Sequence, residues 1–371
     1  MLGTLKQQDI EKSGLLDHIY VVIMAGGKGE RFWPLSTERV PKPFIRVIDN
    51  NSLIQLTVKR IGRILPMDRI LIVLGRRHLD VAKGQLEGIP DENFIIEPEG
   101  RDTAPCIGFS AIHLSEKDKD AVMVTLPADQ YVIDEDGFNR TLINAFEFAK
   151  KGEHMVTIGI KPSRPETGYG YIRAYEVFDS YRGFPCYKVE RFVEKPDFKT
   201  AEDYIRDGSY FWNSGIFIWR VRTVLKGLER HMPELFEGLM RIQDMIRTGS
   251  QDGIEAVYKN LVRRSIDYGL MEKAGNVLMV KGEFTWDDIG TWQALLRVLK
   301  TDEKGNYIYG DVVSIDTEDS VIYSNSVSVG VIGASNLIVV VSGDGVLVCD
   351  RERSQDVREI PRALETKRQG M

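Results

Sequence analysis

The feature that most limits how this chain can fold is the stretch from Tyr20 to Ser36. It begins with an apolar, partly β-branched run that is typical of a buried strand. The run leads directly into a loop with three glycines, Gly26, Gly27 and Gly29. Such a loop after a buried strand is a common nucleotide-binding arrangement in α/β proteins, because glycine lets backbone N–H groups approach phosphate oxygens without a Cβ in the way. The stretch therefore predicts an α/β protein with an anion-binding loop.

Cations accompany this loop. Lys28 and Arg31 lie within it, and Lys42 follows between two prolines that stiffen the chain. An arginine can bind a phosphate through two parallel hydrogen bonds. The loop does not match Gly-x-Gly-x-x-Gly and does not end in Gly-Lys-Ser/Thr, so dinucleotide binding and a Walker A ATPase are both disfavoured. From the loop alone, a tight strand-to-helix turn remains the alternative.

The composition argues against several classes of protein. The chain has 371 residues, enough for two domains, and its net charge of −6 disfavours a nucleic-acid partner. No apolar run approaches the ~18 residues of a membrane span, and residues 1–18 lack the apolar segment of a signal peptide. We therefore expect a cytoplasmic protein with no membrane partner. Its three cysteines form no Cys-x-x-Cys pair, which argues against a zinc knuckle.

The first 300 residues alternate short apolar runs with helical periodicity. This order predicts a mostly parallel sheet with right-handed crossovers. After Thr301 the character changes to short β runs separated by Gly, Asn, Asp or Ser, followed by a helical pattern over 354–367. These runs predict a separate small β domain that resembles a parallel β-helix of few turns. The exposed end of such a stack needs covering, so we expect the domain to help form a homodimer.

Acidic residues follow several of the predicted strands, at the edge where α/β sheets bind ligands. Asp129 comes directly after the apolar run 121–126, and Asp287 and Asp288 follow a later run and precede Gly290. A helix cap is the alternative role for each of these aspartates.

Several motifs, taken together, resemble those of the sugar-nucleotide pyrophosphorylases, the nucleotidyltransferases that act on sugar 1-phosphates. In chain order they are Gly-Gly-x-Gly-x-Arg from Gly26, Pro-Lys-Pro-Phe from Pro41, Arg-Asp-Thr-Ala-Pro from Arg101, Val-Glu-Lys-Pro from Val193 and Trp-Asn-Ser-Gly from Trp212. The resemblance covers the chain from about residue 20 to about residue 360, and the variants present here are most similar to the guanylyltransferase branch of the family.

The resemblance implies a fold and a division into domains. The fold would be that of the nucleotide-diphospho-sugar transferases, a Rossmann-like mixed, mostly parallel sheet with helices on both faces. A small C-terminal left-handed β-helix domain would follow, although the strict hexapeptide repeat is not visible in this chain. We expect residues 1–18 to form an N-terminal extension, 19–300 the catalytic domain, and 301–371 the β-helix domain with a C-terminal helix. The isomerase half of bifunctional relatives is expected to be absent.

The resemblance also implies an activity and roles for individual residues. GTP and mannose 1-phosphate would give GDP-mannose and pyrophosphate, with Mg²⁺ as cofactor. The catalytic residues would be Arg31, Lys42, Asp129 and Asp288, of which Asp129 and Asp288 would also hold the metal. The nucleotide would be bound by Ala25, Gly26, Gly27, Lys28, Gly29, Glu97 and Asp102. The sugar phosphate would be bound by Gly170, Glu194, Lys195 and Asn213.

Several points stay open at this stage. Guanine presents N1–H and N2–H donors, so Glu97, Asp102 or a backbone carbonyl could read it. Asn213 could hydrogen-bond the backbone instead of a sugar. Asp267 is expected to be structural, and Asp287 to support the site or face solvent. A different sugar phosphate such as manno-heptose 1-phosphate, a different base, or a non-catalytic regulatory subunit of the same fold are the competing functions.

Overall fold

The apolar runs of the first 300 residues form one nine-stranded sheet with a hydrophobic core on each face. The computed structural model describes residues 14–27, 29–250 and 252–369. In chain order, the strands of this part are β1 (Ile19–Met24), β2 (Ile70–Gly75), β3 (Phe94–Glu97), β4 (Val122–Pro127), β5 (Tyr131–Val132), β6 (Met155–Ile160), β7 (Tyr171–Tyr181), β8 (Phe184–Val193), β9 (Tyr210–Arg220), β10 (Val277–Lys281) and β11 (Trp286–Asp287). Strands β5 and β11 pair with each other outside the large sheet.

Helices connect these strands. They are α1 (Leu53–Ile61), α2 (Leu79–Gln85), α3 (Thr103–Lys117), α4 (Glu135–Lys151), α5 (Phe198–Asp207), α6 (Val221–His231), α7 (Pro233–Arg247), α8 (Ile254–Lys259) and α9 (Leu295–Val298). The first of them begins directly after Ser52, because Ser52 and Gln55 form a reciprocal capping box. No helix within the described ranges is both long enough and apolar enough to cross a membrane.

The large sheet has the strand order β3-β2-β1-β4-β9-β6-β10-β8-β7. Strands β3, β2, β1 and β4 are parallel neighbours, and β6 and β10 are parallel to each other. Strand β9 runs antiparallel to both β4 and β6 and joins the two parallel sets. The prediction of a mixed, mostly parallel sheet is confirmed.

Alternating side chains of β1 explain why helices cover both faces of the sheet. Ile19, Val21 and Ile23 belong to the core that includes residues of α1 and α4. Tyr20 and Val22 belong to the other core, with residues of α3, α6 and α7. A strand buried on both faces has no polar side, which is why the sequence of β1 is apolar at nearly every position.

The predicted small β domain is built from strands β12 (Tyr307–Tyr309), β13 (Val312–Ile315), β14 (Val321–Ser324), β15 (Val329–Ile332), β16 (Leu337–Ser342) and β17 (Gly345–Asp350). Strands β12, β14 and β16 stack in parallel, as do β13 and β15, which confirms the β-helix architecture. Strand β17 pairs antiparallel with β16 and ends the stack.

The C-terminal helix, α10 (Glu359–Gln369), begins later than the pattern over 354–367 predicts. Two short 3-10 turns, Arg351–Arg353 and Asp356–Arg358, precede it. Pro361 explains the difference, because a proline fits the first turn of a helix but would clash with the preceding turn in the interior. The helix can therefore begin only shortly before this residue.

The β domain shares a core with the loops that follow β1 and β11. This third core contains Phe32 and Trp292 from the loops and Tyr323, Val340 and Val357 from the β domain. Polar contacts reinforce it, since the hydroxyls of Tyr307 and Tyr323 donate to the carbonyls of Val47 and Arg46, at 3.0 and 2.9 Å. The position of the loop after β1 thus depends on the C-terminal domain.

The predicted N-terminal extension is only partly described. Residues 1–13 lie outside the described ranges, whereas Gly14 to His18 are placed. Leu15 is buried in the core, and the Lys150 ammonium donates to the carbonyls of Gly14 and Leu15 at 2.9 and 3.1 Å. These residues therefore pack against α4.

Candidate active site

The glycine loop lies at the carboxyl end of β1, and its geometry shows why Gly29 is needed. Gly29 has φ +66°, and a Cβ built there would overlap the Cβ of Lys42. Any other residue at this position would be strained and would displace the lysine. Ala25 donates its N–H to the carbonyl of Val73 at 2.8 Å, so this amide extends the sheet and is not directed at a ligand. Lys28, a predicted nucleotide contact, lies outside the described residues.

A cavity of about 430 Å³ opens beside this loop, and we call it the cationic pocket. Its walls come from the glycine loop, from the strand ends and from the C-terminal segment. They comprise Gly29, Glu30, Arg31, Phe32, Lys42, Asp129, Asp288, Gly290, Arg358 and Arg362. The structure therefore brings together all four residues predicted to be catalytic.

Lys42 connects the two predicted metal ligands. Its ammonium lies 2.9 Å from Oδ2 of Asp129 and donates to the backbone carbonyl of Asp288 at 2.7 Å. Lys42 is 8% exposed, so little water competes for these contacts. Arg31 contributes a second cation, and its Nε is buried without a hydrogen-bond partner among the described residues. A buried, unsatisfied guanidinium nitrogen beside a cavity is suited to an anionic ligand.

Asp288 is held by Tyr169, which lies two residues before the start of β7. The Tyr169 hydroxyl donates to Oδ1 of Asp288 at 2.7 Å. Tyr169 packs edge-on against the rings of Trp212 and Trp286, with centroids 5.3 and 5.2 Å apart. Burial raises the pKa of the Asp288 carboxyl, while the charge of Lys42 opposes that rise. Burial and the neighbouring aspartates also raise the pKa of Tyr169, which keeps its hydroxyl protonated as a donor.

The neighbouring Asp287 is 3% exposed, so of the two roles expected for it the structure favours support of the site over exposure to solvent. Arg297 approaches both of its carboxylate oxygens at 3.1 Å, and Arg164 lies 3.2 Å from one of them. Asp287 also accepts the N–H of Ile289 at 2.9 Å, in a turn where Ile289 has φ 43°. The two arginines and Asp287 therefore fix the turn that presents Asp288. Neither arginine was predicted from the sequence, because no local motif marks them.

The four residues predicted to bind the sugar phosphate also meet. Val193 and Trp212 both pair with Tyr171 in the sheet, and the adjacent residues Gly170, Glu194 and Asn213 are therefore neighbours. A Cβ at Gly170 would overlap Oε2 of Glu194, and Lys195 forms an ion pair with Glu194.

We use the name strand-end cluster for five residues, which are Gly170, Glu194, Lys195, Asn213 and Asp267.

Asp267, which was expected to be structural, lies in contact with the residues predicted to bind the sugar phosphate. Asn213 donates from Nδ2 to Oδ1 of Asp267 at 2.7 Å, and its Oδ1 accepts the N–H of Gly215 at 3.1 Å, which is the backbone contact considered as its alternative role. Burial first, and then the charge of Glu194, raise the pKa of Asp267 to about 6. This aspartate therefore belongs to the same polar group as Glu194, Lys195 and Asn213. Asn213 and Asp267 are 54 residues apart, so no local pattern in the sequence marks this contact.

The two groups of residues adjoin each other. Tyr169, which binds Asp288, directly precedes Gly170. Gln130, the neighbour of Asp129, donates to the carbonyl of Ser214 at 2.5 Å. A ligand in the cationic pocket would therefore lie beside one in the strand-end cluster.

The two carboxylates considered for guanine lie in different surroundings. Glu97 is 5% exposed at the end of β3, and Tyr258 donates to its Oε1. Its Oε2 would lie 3.6 Å from a Cβ at Gly26, so Glu97 borders the glycine loop. Burial raises the pKa of Glu97. Asp102 is exposed at the start of α3 and caps that helix by accepting the N–H of Thr103 at 2.7 Å.

Comparison with known proteins agrees with this architecture. The family model described as Nucleotidyl transferase matches residues 20–305, and the one described as MannoseP isomerase/GMP-like beta-helix domain matches residues 310–364. The mannose-1-phosphate guanylyltransferase of Klebsiella pneumoniae is 38% identical over 344 residues, which are 91% of this chain and 72% of that protein. The enzyme of the same name from Escherichia coli (strain K12) is 34% identical over 353 residues, 92% of this chain and 72% of that protein.

A solved structure is similar over nearly the whole chain. It is the crystal structure from Thermus thermophilus described as a mannose-1-phosphate geranyltransferase, with 38% identity and a TM-score of 0.84. The match covers 94% of this chain and 99% of that one. The chain therefore belongs to the nucleotidyl transferase family, as an enzyme of its mannose-1-phosphate guanylyltransferase group.

Proposed function

We propose that this enzyme transfers a guanylyl group from GTP to mannose 1-phosphate, giving GDP-mannose and pyrophosphate. The observation that carries the proposal is the placement of Lys42 between Asp129 and Asp288, in a cationic pocket beside the glycine loop. The names of the relatives support the choice of sugar and base.

The reaction needs no nucleophile from the protein. A phosphate oxygen of mannose 1-phosphate attacks the α-phosphorus of GTP, and the bond from that phosphorus to the bridging oxygen of the β-phosphate breaks. Pyrophosphate leaves with the bond electrons. Catalysis of phosphate transfer consists mainly of positioning and charge compensation. Both reactants are polyanions, so the cations Arg31, Lys42 and Lys195 lower the cost of bringing them together.

The residues present suit Mg²⁺. Asp129 and Asp288 would supply hard oxygen ligands, and both side chains line the pocket beside the glycine loop. Within the described ranges no group of three or more His, Cys, Asp or Glu side chains is placed to hold a metal. A metal here would therefore depend on phosphate oxygens and water for its other ligands. When bound, it would offset the charge that develops on the phosphates.

Other residues position these groups. The Tyr169 hydroxyl and the Asp287–Arg297–Arg164 network orient the Asp288 carboxylate toward the pocket. In the strand-end cluster, Glu194 and Asn213 supply acceptors and donors for sugar hydroxyls, and Lys195 compensates the sugar phosphate. Glu97 beside Gly26 supplies an acceptor for guanine, whereas Asp102 serves as a helix cap.

A pyrophosphate-release assay tests the proposal. GTP, ATP, UTP and dTTP would each be combined with the 1-phosphates of mannose, glucose and manno-heptose, with Mg²⁺ and with EDTA. We expect release with GTP and mannose 1-phosphate and its loss in EDTA. Release with another sugar or base would retain the chemistry but change the substrate. No release with any pair would favour a regulatory subunit of this fold.

The expected homodimer and the expected cytoplasmic location stay predictions. A homodimer would appear as twice the monomer mass of 42.1 kDa by light scattering. A cytoplasmic location would be checked by fractionation of the source cells.

A further inference from the structure

One wall of the cationic pocket comes from the far end of the chain. Arg358, in the last 3-10 turn, and Arg362, in α10, line the same cavity as Arg31 and Lys42. Nη2 of Arg362 lies 2.8 Å from Oε2 of Glu30 in the glycine loop. None of the predicted site residues came from this segment. The β-helix domain thus contributes side chains, and not only support, to the pocket.

The core fixes where these arginines lie. Val357, adjacent to Arg358, is 2% exposed and packs in the same core as Phe32 and Trp292. Phe32 belongs to the 3-10 turn that carries Glu30 and Arg31. The glycine loop and the C-terminal segment are therefore anchored to a common core, which holds the backbone of Arg358 beside the pocket.

A triphosphate in the pocket would need more positive charge than Arg31 and Lys42 supply. Glu30, Asp129 and Asp288 contribute negative charge to the walls, and a triphosphate would add more. Arginine binds phosphate through a planar, bidentate fork. The Arg362 side chain is 64% exposed, and an exposed ion pair such as Arg362–Glu30 is weak. A phosphate can therefore replace Glu30 as the partner of Arg362.

The position of the arginines identifies which phosphates they would meet. They lie with Gly29, Arg31 and Gly290 in the cationic pocket, and among the described residues none of the strand-end cluster lines that cavity. They therefore face the triphosphate side of the site and not the sugar phosphate.

We propose that Arg358 and Arg362 bind the β- and γ-phosphates of GTP, and the pyrophosphate product, with Glu30 as the counter-ion of Arg362 when the pocket holds no nucleotide. The proposal rests on the function proposed above. It assigns the C-terminal helix a direct part in substrate binding.

The test compares the exposed variants Arg358→Ala, Arg362→Ala and the double variant with the wild-type chain. Michaelis constants would be measured for GTP and mannose 1-phosphate in the forward direction, and for pyrophosphate and GDP-mannose in the reverse direction. We expect the double variant to raise the KM for GTP and for pyrophosphate by roughly tenfold or more, the scale of a lost charge-assisted hydrogen bond. The KM values for mannose 1-phosphate and GDP-mannose should change by less than about twofold, which is less than the loss of one such hydrogen bond would cause.

Matched controls separate this effect from a general change of charge. Arg353→Ala removes an exposed arginine of the same segment that pairs with Asp356 and does not line the pocket, and it should change no constant. Arg362→Lys keeps the charge and should recover part of the loss. Glu30→Gln removes the competing carboxylate and should lower the KM for pyrophosphate.

The outcomes are distinguishable from failure of the proposed function. An active double variant with wild-type constants for GTP and pyrophosphate would overturn the role of the arginines. If the wild-type chain shows no turnover, the proposed function fails. Calorimetric titration with pyrophosphate would then still test whether Arg358 and Arg362 bind this anion. If the double variant binds pyrophosphate more weakly than the wild-type chain does, the proposed role of the two arginines is supported. If both proteins bind it equally, or neither binds it, that role is overturned.

Discussion

The cationic pocket and the strand-end cluster lie side by side but are held in different ways. The cluster is built on one sheet, where the pairing of β7 with β8 and β9 places Gly170, Glu194 and Asn213 together. The pocket is built on loops from both domains, joined by the core around Phe32 and Val357. The sugar side should therefore tolerate changes in the β domain, whereas the triphosphate side should not.

The largest effect is expected from removing a carboxylate of the pocket. Asp288→Asn should lower kcat by about a hundred- to a thousandfold, the range seen when one electrostatic stabiliser of a transition state is lost. The shape of the side chain is retained, so circular dichroism should be unchanged. Pyrophosphate release is the measurement, with Asp316→Asn, 83% exposed in the β domain, as the control. Near-normal turnover would remove Asp288 from the mechanism.

Two glycine substitutions separate the two regions directly. Gly29→Ala combines a positive φ with overlap of Lys42, so it should raise the KM for GTP by about tenfold or more, since left-handed backbone costs about 1–2 kcal/mol for alanine. Gly170→Ala overlaps the end of the Glu194 side chain and reaches ordinary contact distance from Asn213, so it should chiefly raise the KM for mannose 1-phosphate. Steady-state kinetics would check both, with Gly330→Ala, which meets open space, as the control. Equal effects on both substrates would contradict the separation.

A pH-dependent stability is expected from the strand-end cluster. The folded pKa of Asp267, about 6, exceeds the ordinary value of 3.8. The folded state therefore binds this proton more tightly, and the free energy of unfolding should fall as pH rises from about 4 to 6. The contribution is at most about 3 kcal/mol.

Urea unfolding at several pH values would measure this effect. The Asp267→Asn variant should show a smaller change of the unfolding free energy with pH between about 4 and 6. The variant should also be more stable than wild type at pH 7. A slope identical to that of wild type would show that Asp267 is not the group responsible.

The smallest effect is expected from loosening the contact between the domains. Changing Tyr307 and Tyr323 together to phenylalanine removes the hydrogen bonds to Val47 and Arg46. The free energy of unfolding should fall by about 1–3 kcal/mol, since each bond contributes about 0.5–1.5 kcal/mol. The KM for GTP should rise more than that for mannose 1-phosphate. Tyr175→Phe, at an exposed tyrosine of β7, is the control, and an equal rise in both constants would argue against loop support by the β domain.

Much of the site was predictable because its residues sit in local motifs. Arg31, Lys42, Asp129 and Asp288 each follow a recognisable strand or proline segment, and the structure brings them into one cavity. Tyr169 and Asp267 could not be assigned in the same way, because their partners are 119 and 54 residues away. Arg164 and Arg297 lie in no motif at all.

Local patterns were enough to predict the alternation of strands and helices, the glycine loop and the change to short β runs after Thr301. These features depend on local periodicity and on backbone freedom, which neighbouring residues define. Three features became visible only in the folded chain. Lys42 contacts both Asp129 and Asp288, and Asp267 accepts a hydrogen bond from Asn213. Arg358 and Arg362 line the same cavity as the glycine loop. Such contacts depend on sheet pairing and on packing between domains, and a single sequence carries no local signal for either.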